Sequence, residues 1–179
     1  AHPKAGAHGR GLLPVYLTGA LLGDSHTGLR STWYRRGDPQ QALTHLELAL
    51  SLRQQAIRDF ELDTEVATWP DEDKSAERDY LLSDLQFKKL GTGAAFFRAG
   101  RFSDAEPLLK EVYSQSRTAL DADPSNPRLR NDYVGEAGLW AEFLGFSGRG
   151  EEALAVLELA GKHIDQLLAD DPAGVTFRR

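Results

Sequence analysis

The chain has 179 residues, 41% of them apolar, with 21 basic and 27 acidic side chains and a net charge of −6. That size suits one domain or a short repeat array, and the acidic balance speaks against a nucleic-acid surface or attraction to anionic membranes. Cysteine is absent, which removes disulfides, thiolate nucleophiles and thiolate zinc sites while leaving the compartment open.

Residues 1–16, AHPKAGAHGRGLLPVY, read as a flexible leader rich in glycine. Leu12, Leu13, Val15 and Tyr16 give it apolar groups that could dock elsewhere. No run along the chain approaches the roughly 18 apolar residues of a membrane helix, and no signal-peptide pattern is present. With Ala1 first and no methionine, the chain is expected to be a processed product or a piece of a longer one.

Three related units follow. Each carries a glycine with an alanine five residues later: Gly37 and Ala42 in RRGDPQQALTHL, Gly100 and Ala105 in RAGRFSDAEPLL, Gly148 and Ala153 in FSGRGEEALAVL. The interval from Gly100 to Gly148 is repeated between Pro124 of LDADPSN and Pro172 of LADDPAG. Two independent landmarks with one period mark an internal repeat.

Residues 17–61 form the first unit, with its first helix at roughly Leu17–Arg36. After the glycine, Ala42, Leu46, Ala49, Arg53 and Ala56 fall at the spacing of one buried helix face. The interval from Gly37 to Gly100 is longer than the later one, and the excess falls at residues 62–76, within ELDTEVATWPDEDKSA. This acidic stretch lacks an apolar stripe and is expected to be an enlarged loop. Trp69 in it would either anchor a partner or pin the loop to its own domain.

The second unit, residues 77–124, opens with a helix near Tyr80–Ala99. GTGAA at 91–95 lies inside that helix, where small residues serve close helix packing and not phosphate binding. The third unit, residues 125–172, has its first helix near Arg128–Ser147 and then Ala153, Leu157, Ala160, Ile164 and Leu167 on one face. Asp123-Pro124 and Asp171-Pro172 stop the second helices, because proline disfavours helical backbone in the residue before it. Trp33 and Trp140 occupy core positions.

The glycine turn, the alanine five later and the bulky Leu46, Leu109 and Leu157 resemble the tetratricopeptide repeat. Gly93 and Ala141 match that family's small site, whereas Arg30, His26 and Lys89 depart from it in the first helices. The long helices are similar to those of kinesin light chains and of arrays appended to bacterial serine/threonine kinases. The resemblance spans roughly Leu17 to Gly174. It implies an all-α, right-handed superhelical solenoid of antiparallel helix pairs with about three repeats.

It also implies a concave groove that binds a protein or peptide. Its positions here are Ser31, Tyr34 and Arg35, then Leu90, Ala94, Phe97 and Arg98, then Gly138, Glu142, Gly145 and Phe146. Arg35 and Arg98 are equivalent, and could grip an acidic segment. A regulatory region within a larger signalling protein is one expectation under this resemblance.

Residues 173–179 align with the start of the third unit, so Phe177, Arg178 and Arg179 would open a further helix. Without a capping helix, Leu159, Ile164, Leu167 and Leu168 are expected to be partly uncovered. A longer array, a folded-back tail or the amino-terminal helix of another copy would cover them. The last is a head-to-tail contact that builds an oligomer or filament.

No catalytic, cofactor-binding or metal-binding residues are expected. His2, His8, His26, His45 and His163 show no metal-ligand spacing, and Asp71, Glu72 and Asp73 lack the glycine and terminal glutamate of a calcium loop. The expected partners are a protein or peptide, including other copies of the chain, with no nucleic acid and no membrane insertion.

Overall fold

The computed structural model describes residues 15–170, with backbone alone for residues 29–35. The leader up to residue 14, the tail from residue 171 and the side chains of Arg30, Ser31, Trp33, Tyr34 and Arg35 lie outside the described residues, as do His2, His8 and Phe177. The described chain is all-α. Six helices follow in order: α1 (Val15–Arg35), α2 (Pro39–Leu62), α3 (Asp71–Arg98), α4 (Phe102–Ala122), α5 (Pro127–Phe146) and α6 (Gly150–Asp170). A single 3-10 turn, Val66–Thr68, sits between α2 and α3.

The helix ends follow from local chemistry. Gly37, Gly100 and Gly148 all have positive φ, at 76°, 76° and 78°, a conformation that costs any residue with a Cβ. After α3, the Arg101 N–H donates to the Phe96 carbonyl and the Gly100 N–H to the Phe97 carbonyl. After α5, Arg149 and Gly148 repeat this with Leu144 and Gly145. These paired bonds satisfy carbonyls that a helix end would otherwise leave open. At the other ends, Asp38 accepts from the Gln41 N–H at 3.0 Å, and Asn126 accepts from Arg128 and Leu129. Proline follows each of these caps, where a missing N–H does no harm.

Consecutive helices pack antiparallel, and the main contacts run from each helix to the next. Lys89 of α3 reaches Glu111 of α4 at 2.7 Å, and Arg130 at the start of α5 reaches Asp170 at the end of α6 at 2.6 Å. Gly93 sets the closeness of α3 to α4. A Cβ there would lie 2.9 Å from the Leu109 Cδ2 and 3.2 Å from the Leu108 Cβ. Leu109 is fully buried, so it has little room to move. Gly93→Val is expected to cost about 1–3 kcal/mol by overpacking. Gly93→Ala should cost less, since alanine regains about 1 kcal/mol of helix propensity. Thermal unfolding of the two variants measures the difference.

Two expectations about local structure need correction. The acidic loop at residues 62–76 is shorter than the pattern indicates: Asp71 to Ala76 form the opening turns of α3. Asp71, Glu72 and Asp73 lie in its first turn, where negative charge meets the positive end of the helix dipole. Helix formation there needs no apolar stripe. Likewise, Val15 and Tyr16 belong to α1 and not to the leader. Tyr16 is buried edge-on to Phe60 with ring centroids 5.2 Å apart. Trp69 packs on the same cluster, 6.3 Å from Phe60, and so pins its own connector.

The core changes character along the chain. Between α1, α2 and α3 it is partly ionic. Arg53 is 0% exposed and pairs with Asp24 at 3.1 Å and Asp84 at 2.6 Å, while the buried Lys88 pairs with Asp24 at 2.8 Å and Asp84 at 3.3 Å. Between α3, α4 and α5 it is aromatic. Phe97 and Phe143 meet at 5.7 Å, and Trp140 stacks on Phe143 at 5.4 Å and on Tyr113 at 6.3 Å.

Glu136 lies half-buried at that aromatic junction and its carboxyl pKa is raised. Burial is the main cause, the Ser116 hydroxyl opposes it, and nearby Asp132 adds to it. A carboxyl whose folded pKa exceeds its unfolded value favours the fold while protonated and opposes it as pH rises through that value. Glu136→Gln is therefore expected to stabilise the chain at neutral pH. The gain should vanish below about pH 4, where the carboxyl is neutral folded or unfolded. Urea unfolding at the two pH values checks this.

Candidate functional site

A broad concave surface lies between α5 and α6. It is a groove of about 560 Å³, lined by Gly138, Ala141, Glu142, Gly145, Phe146, Ala153 and Leu157. Small residues on α5 leave the space, and large apolar side chains border it. Phe146 is 73% exposed. Along α6, Leu154, Leu157, Ile164 and Leu168 are exposed at 62%, 48%, 41% and 51%. Their spacing of three, seven and four residues places them, with Gly161, on one stripe of the helix. Next round the helix come the exposed Glu151, Glu158 and Asp165.

The repeat gives this groove its meaning. One repeat interval earlier, its positions are Leu90, Gly93, Ala94, Phe97, Arg98, Ala105 and Leu109, and those of Gly161, Ile164 and Leu168 are Tyr113, Ser116 and Leu120. All of these except the exposed Arg98 are buried or half-buried. Helix α5 covers many of them. Tyr133 meets Tyr113 at 5.9 Å and joins the cluster around Leu120, Trp140 stacks on Tyr113, and Phe143 packs on Phe97. Among the described residues nothing covers the corresponding face of α6.

The residues expected in a concave groove separate accordingly. Glu142 and Phe146 line the open groove together with Gly138 and Gly145. Phe97 and Ala94 are buried and Leu90 is half-buried against the core, so they are not part of an open surface. Their apolar character serves packing under α5. Arg98 is exposed, and its equivalent Arg35 lies outside the described side chains.

The expected uncovered end also needs revision. Ile164 and Leu168 are exposed, but Leu167 is buried and Leu159 packs half-buried against the Tyr133 and Ala160 cluster. Helix phase explains this, because Leu167 and Leu159 point towards α5. Leu154 and Leu157 take their place on the open stripe. Sequence reasoning assigned Leu157 to the buried face and did not pick out Leu154. Alignment with Glu106, the exposed-side residue one interval earlier, would have drawn attention to the leucine.

A second recurring feature also escaped the sequence reading. Arg101 pairs with Asp104 at 2.7 Å and with Glu47 of α2 at 2.9 Å. Arg149 pairs with Glu152 at 2.7 Å and with Glu106 of α4 at 2.7 Å. The residue after Gly100 thus ties α4 to α2, and the residue after Gly148 ties α6 to α4, whereas Gly37 is followed by the capping Asp38. The sequence signal of the tie is glycine-arginine followed three residues later by an acid.

The histidines are less isolated than their spacing suggests. His26 and His45 stack between α1 and α2 with their Nδ1 atoms 2.9 Å apart. Such a contact needs one donor and one acceptor nitrogen. His163 stands edge-on to Tyr133 at 5.3 Å. Among the described residues no group of three or more His, Asp or Glu is placed to hold a metal ion. No described helix is long and apolar enough to cross a membrane. Compared with protein-family models, curated proteins and solved structures, the chain has no match in any of the three.

Proposed function

We propose that this chain is a non-catalytic scaffold of tetratricopeptide type, a right-handed array of three helix pairs that recognises a helix of a protein at its α5–α6 end. One observation carries the reading: Ala94, Phe97, Leu109, Ser116 and Leu120 are buried, whereas Glu142, Gly145, Leu157, Ile164 and Leu168, at the same positions one interval later, are exposed. A face built to receive one helix is suited to receive another, because the same small-residue floor and apolar border recur. Apolar area supplies the contact energy, and the acids flanking the α6 stripe favour a partner with basic residues beside its apolar stripe.

A peptide with the sequence of residues 127–146, which is α5 itself, is the natural probe. Titrated into isotope-labelled chain, it is expected to move the backbone amide signals of Gly138, Gly145, Ala153 and Leu157. Leu157→Asp should weaken binding by about tenfold or more. Shifts confined to α1 and α3 would overturn this placement, as would the absence of any shift.

A further inference from the structure

The helix that fits the α5–α6 groove can be sought by the same repeat relation. Aligning the turn glycines Gly37 and Gly148 superposes α1 on α5. Tyr133, Glu136, Trp140 and Phe143, the residues with which α5 covers the unit before it, then correspond to Leu22, Ser25, Leu29 and Thr32. Leu22 is 49% exposed, and Val15 and Leu21 are exposed beside it. They lie on the side of α1 away from α2, since Tyr16, Gly19, Ala20 and Gly23 face that neighbour. Among the described residues no helix covers this side. The chain therefore has an open acceptor stripe at one end and, at the other, exposed apolar residues on α1 that include the donor-equivalent Leu22.

Charge agrees with this polarity. From α1 to its turn the sequence carries Arg30, Arg35 and Arg36 against the single acid Asp24. The acceptor end carries the exposed acids Glu142, Glu151, Glu158 and Asp165. We infer that the occupant of the α5–α6 groove is α1 of a second copy of this chain, docked head to tail in the register in which α5 docks on α3 and α4. This rests on the reading of the groove as a helix-binding site and names its partner. The two surfaces differ, so the contact is heterologous. It propagates to open chains unless the rotation between copies closes a ring.

The test uses the full 179-residue chain and two substitutions at exposed positions, Leu22→Asp and Ile164→Asp. Mass is measured by sedimentation from about 1 μM to about 1 mM, with circular dichroism to establish that both variants fold. The unaltered chain is expected to grow in mass with concentration. Each variant should associate at least about tenfold more weakly. Mixed together they should form a one-to-one dimer and nothing larger, because each supplies the one intact surface that the other lacks.

A monomer at every concentration would overturn self-docking. The residue 127–146 peptide would still report on the groove, so the failure of this inference is separable from that of the scaffold reading. An assembly lost with Ile164→Asp but unaffected by Leu22→Asp would overturn the register in favour of a symmetric contact between α6 faces. Failure of the two variants to combine would overturn it as well.

Discussion

Arg53→Ala is expected to lower stability by about 3–5 kcal/mol, a fall in melting temperature of roughly 10 °C for a chain of this size. The guanidinium is inaccessible to solvent and lies between two carboxylates, Asp24 and Asp84. Its removal leaves a cavity and a half-buried Asp84 whose remaining cation is Lys88, at 3.3 Å. Losing one partner of a buried pair is costly because the other's desolvation is no longer offset. The contrast that isolates this cause is the triple replacement Arg53→Met, Asp84→Leu and Lys88→Met. It removes the buried charges together, fills the space with apolar atoms and leaves Asp24 half-exposed. It should cost far less than Arg53→Ala alone. If both unfold at the same denaturant concentration, neither the cavity nor an uncompensated carboxylate is the cause, and the ion network itself contributes the lost stability.

Trp140→Ala should have an effect of similar size, about 3–5 kcal/mol, but of a different kind. Trp140 is buried where α5 meets the preceding helices, stacked on Phe143 and Tyr113. Contacts in this fold run mainly between neighbours in sequence, so the junction is the chief means by which α5 and α6 share the stability of α1 to α4. Where contacts run between neighbours in this way, cooperativity depends on the interfaces between successive helices. The variant is expected to unfold in two steps, the α5–α6 pair first. Amide hydrogen exchange should show faster opening of residues 127–170 with little change in α2. Uniform acceleration along the chain would mean that the fold is one cooperative block.

Much of the local architecture is legible in the residues alone. Each turn glycine was legible because a positive φ excludes most residues, and a helix reversal needs that conformation at one place. The buried face of α2 was legible because a helix exposes a residue to the same neighbour every three or four positions. Gly93 was legible as a packing residue because a helix interior tolerates glycine only where it serves close approach. Even Arg53 was placed correctly on the buried face, although nothing local named its partners.

Other features depend on which helices meet. Asp24, Arg53, Asp84 and Lys88 lie on three helices and meet only when these pack. The acids at 71–73 belong to a helix because Pro70 and the helix dipole set a boundary that apolar periodicity does not report. Phe97 is core and Phe146 is surface although both are phenylalanines beside a helix end, because α5 covers the first and no described element covers the second. A side chain's type records what it can bury. Which stripe of α6 stays open is decided by the neighbouring helix, present one interval earlier as α5 and absent among the described residues after α6.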